Sequence, residues 1–172
     1  MEQPFDILPG DLEALPARAR ALLSGQSDPV ANAANLASLL FHSLEHVNWA
    51  GFYFLRDGQL VVGPFQGKPA CVTIPVGRGV CGAAASTRRV QRVADVHAFP
   101  GHIACDADSR SEIVLPLLRD GDLLGVLDLD SPLAGRFSEQ DERVLTEIAD
   151  IYVRSIAPPA DERDNAGGPG PR

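Results

Sequence analysis

The chain has 172 residues, about the length of one domain, and its composition is 45% hydrophobic and 22% charged, which is typical of a compact globular protein and excludes a wholly disordered one. The net charge at pH 7 is −8, Lys68 is the only lysine, and no basic stripe interleaves with aromatic residues, so nucleic acid is not an expected partner. No window approaches the roughly 18 apolar residues of a membrane span and no signal segment opens the chain, so we expect a cytoplasmic protein without membrane contact.

Two helices are predicted before the first strand. Apolar residues at helical spacing predict a short helix from Asp11 to Leu23, with Pro16 in its first turn or at a kink. Asp28 is a suitable N-cap and Pro29 a suitable first residue for a second helix. The apolar stripe of that helix consists of Leu36, Leu39, Leu40, Leu44 and Val47.

From residue 49 on, runs rich in aromatic and branched residues predict strands. Asp57-Gly58 and Asp120-Gly121 each separate two such runs, and this dipeptide is a strong signal for a tight hairpin turn. The two predicted hairpins join residues 49–55 to 60–62 and residues 113–118 to 123–129. Residues 72–76 and 90–93 bring the total to about six strands.

The Gly-rich residues 77–82 open a short helix between the hairpins, without the Lys-Ser/Thr ending of a P-loop. A last helix is predicted after Ser138, with Asp141 completing a capping box. From residue 157 on, four Pro and three Gly among sixteen residues predict a disordered tail. The expected organisation is a helical segment at residues 1–26, one folded domain at 27–156 and a tail at 157–172.

Three cysteines, Cys71, Cys81 and Cys105, are the main chemical signal. In a reducing compartment, thiol pairs tend to be catalytic or redox-sensing. Cys105 lies in a long connection with His97 and His102, where a lowered thiol pKa would favour the attacking thiolate. Cys81, at a helix start, can equally be a small buried hydrophobic residue. The spacing of the two histidines and Cys105 matches no zinc signature, so no metal is expected.

Carboxylates form a second chemical signal. Asp128 and Asp130 alternate with Leu129 at the end of a predicted strand, so both side chains lie on one face. Glu112 opens the partner strand of the same hairpin. In a partly apolar pocket such groups repel one another, and one of them keeps its proton near neutral pH and becomes a general acid. On a solvated face they are ordinary surface charges, and the residues alone leave both interpretations open.

The chain resembles the free methionine-(R)-sulfoxide reductases, small enzymes built on a GAF domain. The resemblance covers about residues 27–153 and rests on residues 48–53, 63–67, 71–75, 77–82, 97–106 and 111–114. It implies an α+β fold with a central antiparallel sheet of about six strands and helices packed mainly on one face. It also implies reduction of free methionine-(R)-sulfoxide without a cofactor.

The resemblance further implies a division of labour between the thiols. Cys105 corresponds to the attacking cysteine, Cys71 is the first candidate for the resolving thiol and Cys81 is the second. The Cys105 thiolate would attack the sulfoxide sulfur and become a sulfenic acid as methionine leaves. The sulfenic acid would condense with a thiol to a disulfide, which thioredoxin would reduce.

A substrate pocket is implied by the same resemblance. Trp49 and Tyr53, four apart on a strand, correspond to an aromatic wall around the substrate methyl group and sulfur. Glu112, Asp128 and Asp130 correspond to acidic ligands, which would pair with the ammonium group of a free amino acid. The sequence does not decide whether the chain forms a homodimer. The alternative function is that of a non-catalytic GAF domain that senses a small ligand or an oxidant.

Overall fold

The structure, a computed structural model, describes residues 11–101 and 107–156. Within these residues the strands form a single antiparallel sheet in the order β3-β2-β1-β6-β5-β4. The strands are β1 (Trp49–Arg56), β2 (Gln59–Gly67), β3 (Thr73–Pro75), β4 (Gln91–Val93), β5 (Ser111–Arg119) and β6 (Asp122–Ser131). The predicted α+β class with about six strands is confirmed.

Four α-helices accompany the sheet in the described part of the chain: α1 (Leu15–Leu23), α2 (Pro29–Ser43), α3 (Gly79–Thr87) and α4 (Glu139–Ser155). A short 3-10 turn precedes α1, and Pro16 lies in the first turn of the helix, where its missing N–H removes no intrahelical bond. Asp28 caps α2 by accepting a 2.7 Å hydrogen bond from the Ala31 N–H. None of these helices is long and apolar enough to cross a bilayer.

The sheet divides its side chains between two apolar layers. Helices α1, α2 and α4 cover one face, where Phe52 packs against Tyr152 with ring centroids 4.7 Å apart. Helix α3 covers the other face, together with Trp49 and Tyr53. The alternation along β1 sends neighbouring residues to opposite layers. The prediction that helices pack mainly on one face is confirmed, and α3 is the one described helix on the opposite face.

Both predicted hairpin turns are present. Asp57 and Gly58 have φ angles of 49° and 77°, and Asp120 and Gly121 have φ angles of 51° and 87°. Positive φ at both central residues is the requirement of the tight primed turn, because its twist matches that of the two strands. The strands themselves are longer than predicted, since the hydrogen-bonded ladder extends through Gly67 and Ser131.

The predicted domain division stays a prediction. Residues 1–10 and the predicted tail at 157–172 lie outside the described residues. The described part of the segment before residue 27 contributes Leu15, Ala19 and Leu23 to the main apolar layer. The cytoplasmic location and the homodimer are likewise predictions that the fold leaves open.

Asp141 anchors the start of α4 as the sequence predicts. Its Oδ2 atom accepts hydrogen bonds from the Ser138 N–H (2.8 Å) and the Ser138 hydroxyl (2.6 Å), and its own N–H donates to Ser138 Oγ (3.1 Å). The Arg136 guanidinium lies 3.2 Å from the same carboxylate. Burial raises the pKa of Asp141, but the Ser138 hydrogen bonds and Arg136 outweigh it, so the pKa is lowered.

We expect Asp141→Asn to lower the free energy of unfolding by about 2 kcal/mol at neutral pH, because a capping interaction and charge-assisted hydrogen bonds are lost. The lowered folded pKa makes this stability present above the pKa of the unfolded carboxyl and lost as the pH falls through the folded value. Urea unfolding at several pH values should therefore show the deficit shrinking toward acid pH. Asp150→Asn, at an exposed position of α4, is the control and should change stability by about 0.5 kcal/mol or less. A deficit independent of pH would contradict the ionised cap.

Candidate active site

A pocket opens on the α3 side of the sheet, between β1, β5, β6 and the first turn of α3. It collects six of the eight predicted site residues, all except Cys71 and Cys105. The pocket is lined by Trp49, Tyr53, Pro69, Ala70, Ile74, Arg78, Gly79, Val80, Cys81, Ser109, Glu112, Asp128 and Asp130. Residues from five separate segments of the chain thus meet at one place.

Strand register brings the carboxyl groups of this pocket together. Asp128 and Asp130 lie on the same face of β6, as their spacing predicts. Glu112 of β5 pairs directly with Asp130, while β1 places Trp49 opposite Asp130 on the other side. Gly51 is the β1 partner of Asp128. Directly opposite residues are the nearest cross-strand neighbours in an antiparallel pair, so Glu112 and Trp49 flank Asp130 across the sheet.

Aromatic rings form one wall of the pocket. The ring of Trp49 stacks on that of Tyr53 with centroids 5.7 Å apart, and on that of Phe65 at 5.3 Å. The indole N–H of Trp49 donates a 3.1 Å hydrogen bond to the Lys68 carbonyl. A Cβ atom at Gly51 would lie 2.3 Å from Phe65 Cβ. Glycine at position 51 is therefore what lets Phe65 and Trp49 close the wall.

The deepest part of the pocket holds a thiol and two carboxyl groups. The Cys81 thiol donates to Asp128 Oδ2 at 3.2 Å and lies 3.8 Å from Glu112 Oε1. The exposed fraction is 4% for Cys81, 7% for Glu112 and 5% for Asp128, whereas Asp130 is half-buried. Glu112 and Asp128 are therefore buried pocket groups, and the interpretation of them as surface charges is wrong.

Burial controls the protons of this cluster. It raises the pKa of Asp128 to about 7. Burial, followed by the charges of Asp128 and Asp130, holds the pKa of Glu112 well above its ordinary value. The two carboxyl groups repel each other when both are ionised, so their raised pKa values belong to the pair, which keeps a proton more readily than an isolated carboxyl does. The pocket thus stores a proton near neutral pH.

The cluster also determines the state of Cys81. A helix start lowers a thiol pKa, and Cys81 is the third residue of α3. Burial, together with the negative charges of Asp128 and Glu112, instead holds its pKa well above the ordinary value. Among the described residues Cys81 is therefore a neutral hydrogen-bond donor rather than an attacking thiolate. The same burial and charges raise the pKa of Tyr53.

Cys71 is not among the described residues that line the pocket. Cys71, just before β3, is half-buried and disulfide-bonded, whereas Cys81 is a free thiol. Cys105 and the neighbouring His102 lie outside the described residues, and the predicted role of Cys105 stays a prediction. His97 is exposed in a 3-10 turn (Val96–Ala98).

Two contacts fix residues 108–109, one from Lys68 before β3 and one from Asn48 before β1. The Lys68 ammonium forms an ion pair with Asp108, and the Asn48 side chain donates a 3.2 Å hydrogen bond to the hydroxyl of Ser109. Ser109 is buried and lines the pocket. The sequence analysis assigned no role to Ser109, Arg78 or Phe65. Arg78 and Phe65 lie in stretches that carry the family resemblance, but their positions beside the pocket depend on the packing of separate segments.

Comparison with known proteins agrees with this geometry. The sequence profile of the GAF domain matches residues 30–157. Protein YtsP of Bacillus subtilis is 56% identical over 149 residues, which cover 86% of this chain and 91% of YtsP. The free methionine-R-sulfoxide reductase of Escherichia coli is 56% identical over 137 residues, which cover 80% of this chain and 83% of that protein. The chain belongs to the free methionine-R-sulfoxide reductase family of GAF domains.

Solved structures of this GAF family have the same fold. The fRMsr of Staphylococcus aureus in complex with its substrate superimposes with a TM-score of 0.83 at 46% identity, covering 89% of this chain and 100% of that chain. The free methionine-R-sulfoxide reductase of Neisseria meningitidis, also in complex with its substrate, gives a TM-score of 0.82 at 41% identity, covering 84% of this chain and 87% of that chain.

In this GAF protein we expect Asp128→Asn to raise stability at alkaline pH. Because burial raises the folded pKa of Asp128 to about 7, the wild-type protein loses stability as the pH rises from the ordinary carboxyl pKa through the folded value. A single group contributes a slope of at most about 1.4 kcal/mol per pH unit. The uncharged amide removes this contribution while Cys81 can still donate to its oxygen.

Urea unfolding of the reduced protein between about pH 5 and about pH 8.5 measures this effect. The variant should exceed the wild type at the alkaline end, and the two should converge toward pH 5. Asp122→Asn, at the exposed start of β6, should leave the pH profile unchanged. If the stability of Asp128→Asn depended on pH in the same way as that of the wild type, Asp128 would have the same pKa in the folded and unfolded states, which would contradict this prediction.

Proposed function

We propose that the protein reduces free methionine-(R)-sulfoxide to methionine. The observation that carries this proposal is the meeting of buried carboxyl groups with a stacked aromatic wall in one pocket. Support comes from relatives in Escherichia coli and Saccharomyces cerevisiae, both named free methionine-R-sulfoxide reductase, and from the two solved relatives in complex with their substrates.

The pocket suits both ends of this substrate. The stacked faces of Trp49 and Tyr53 offer a polarisable apolar surface for the methyl group and sulfur. Half-buried Asp130, nearer to solvent than Glu112 and Asp128, pairs with the ammonium group in our proposal. A charge-assisted hydrogen bond of this kind favours a free amino acid, because the nitrogen of a peptide bond has no charge to offer.

Glu112 is our proposed proton donor. It is buried, its pKa is held well above the ordinary range, and it pairs across the strands with Asp130. A carboxyl that keeps its proton at neutral pH can donate to the sulfoxide oxygen as negative charge develops there. Asp128 and the Cys81 thiol hold the Glu112 carboxyl in place on the other side.

The thiol chemistry follows from the sequence prediction. The Cys105 thiolate attacks the sulfoxide sulfur and forms a transient S–S bond while Glu112 protonates the oxygen. The S–O and S–S bonds then break, the hydroxyl group passes to Cys105 as a sulfenic acid, and the electron pair stays on the sulfur of the departing methionine. The sulfenic acid then condenses with the Cys71 thiol, which releases water and forms a disulfide. Two thiols of thioredoxin reduce this disulfide by exchange and become oxidised in turn.

The environments of the two remaining cysteines support Cys71 as the resolving thiol. Cys71 is disulfide-bonded and half-buried next to Val72, whose side chain is 67% exposed. A protein reductant can reach such a position. Cys81 is a free thiol that is enclosed by carboxyl groups, where a thiolate is disfavoured. Cys81 therefore belongs to the pocket in our proposal, and thiol exchange is assigned to Cys71 and Cys105.

The activity is tested with the reduced protein, thioredoxin, and three substrates: both sulfoxide epimers of free methionine and the N-acetylated (R) epimer. We expect turnover of the free (R) epimer alone. N-acetylation removes the charge-assisted hydrogen-bond partner of half-buried Asp130, which costs about 1.5–3 kcal/mol, so kcat/KM should fall about 10- to 100-fold. Absence of turnover with either free epimer would favour a non-catalytic sensor. Equal kcat/KM for the free and acetylated forms would contradict recognition of the ammonium group.

The roles of the cysteines are tested by measuring methionine released per protein without reductant. Cys105→Ser should release none. Cys71→Ser should release about one equivalent but should not be recycled by thioredoxin, because its sulfenic acid lacks a partner. Cys81→Ser should still form the disulfide and be recycled. A stoichiometric burst from Cys105→Ser would overturn its assignment as nucleophile, and normal recycling of Cys71→Ser would transfer the resolving role to Cys81.

A further inference from the structure

The buried thiol and carboxyl groups of the pocket have the composition of a metal-ligand set. Ligand atoms of Cys81, Glu112 and Asp128 all lie within 4.8 Å of one another. They come from three separate elements: the first turn of α3, the start of β5 and the end of β6. Glu112 and Asp128 lie 31 and 47 positions after Cys81 in the sequence. No sequence motif therefore predicts this set of ligands.

The distances fit a tetrahedral zinc centre. With Zn–S of about 2.3 Å and Zn–O of about 2.0 Å, the sulfur and an oxygen ligand of a tetrahedron lie about 3.5 Å apart. Cys81 Sγ is 3.2 Å from Asp128 Oδ2 and 3.8 Å from Glu112 Oε1. These two separations bracket the expected sulfur–oxygen edge, and the Glu112 and Asp128 ligand oxygens lie within 4.8 Å of each other, so side-chain adjustments would bring the three donors around one ion.

A second observation points to a ligand at this place. Asp128 is 5% exposed and lines the pocket, and its buried Oδ1 atom has no hydrogen-bond partner among the residues that the structure describes. Buried carboxylate oxygens normally have such a partner. A cation held between these donors would satisfy the Oδ1 atom.

We propose that Cys81, Glu112 and Asp128 bind a Zn²⁺ ion in the substrate-free pocket, with the fourth ligand position open to the cavity. Binding displaces the thiol proton and the carboxyl proton, and three ionised donors then surround a doubly charged ion. The thiolate selects Zn²⁺ over Mg²⁺, which requires six oxygen ligands. This inference rests on the proposed function in one respect: the amino acid lies in the same pocket, against Glu112 and Asp130, so the ion and the amino acid exclude each other and Zn²⁺ acts as an inhibitor.

The test measures binding on the reduced full chain and does not depend on turnover. Competition with a chromophoric chelator gives the Zn²⁺ affinity, and Cd²⁺ gives a thiolate charge-transfer band in the ultraviolet. We expect Cys81→Ser and Asp128→Asn each to weaken Zn²⁺ binding at least about 10-fold and Cys81→Ser to abolish the band. Cys71→Ser and Cys105→Ser, which remove the other thiols, are matched controls and should keep both signals. Thermal unfolding verifies that each variant folds. If Cys81→Ser does not fold, the Zn²⁺ affinity of Asp128→Asn still tests the proposed site.

Competition completes the experiment. Free methionine, the proposed product, should raise the apparent dissociation constant for Zn²⁺ in proportion to its occupancy of the pocket, and Mg²⁺ should not compete. Retention of wild-type affinity in Cys81→Ser together with loss in Cys71→Ser or Cys105→Ser would overturn the proposal, since the ion would then be held by the other thiols. A protein without reductase activity that still binds Zn²⁺ through Cys81 would refute the proposed function and leave this inference standing.

Discussion

The hydrogen-bonded contact of Cys81, Asp128 and Glu112 is the interaction on which the site depends. Three acidic groups are removed from water at one place, and burial of carboxylates is unfavourable unless protons or cations accompany them. The pocket meets this condition by keeping protons near neutral pH, with the pKa of Asp128 at about 7. The affinity for a positively charged ligand that we propose follows from the same cause, because a cation relieves the repulsion that the protons otherwise suppress.

The opposite face of the sheet supports this unfavourable arrangement. Phe52, Ile113, Leu127 and Tyr152 are fully buried there beneath α1, α2 and α4. Each fully buried apolar side chain of this size stabilises the fold by about 1.5–3 kcal/mol. The same strands β1, β5 and β6 carry polar pocket groups on the α3 face and apolar groups on the other. The alternation of a strand thus separates the stabilising layer from the reactive one within single elements.

Cys81 and Cys71 differ chemically because their surroundings differ. Cys81 is enclosed by carboxyls that hold its pKa high, whereas Cys71 is half-buried near the exposed edge strand. In our proposals the first serves as a hydrogen-bond donor to the pocket and as a metal ligand, and the second exchanges thiols. One set of carboxylates would then bind an ammonium group, store a proton and hold a zinc ion, depending on what occupies the pocket.

Local signals in the sequence determined the elements of this protein. Asp57-Gly58 encodes a turn with positive φ, Ser138 and Asp141 encode a helix start, and the period of two places Asp128 and Asp130 on one face. The residues alone left open whether that face meets solvent, because alternation does not say what covers a strand. Only the packing of α3 against β5 and β6 decided it, by bringing Cys81 to residues 31 and 47 positions away. Protonation was decided there too, since a pKa depends on burial and on neighbouring charges that tertiary contacts supply.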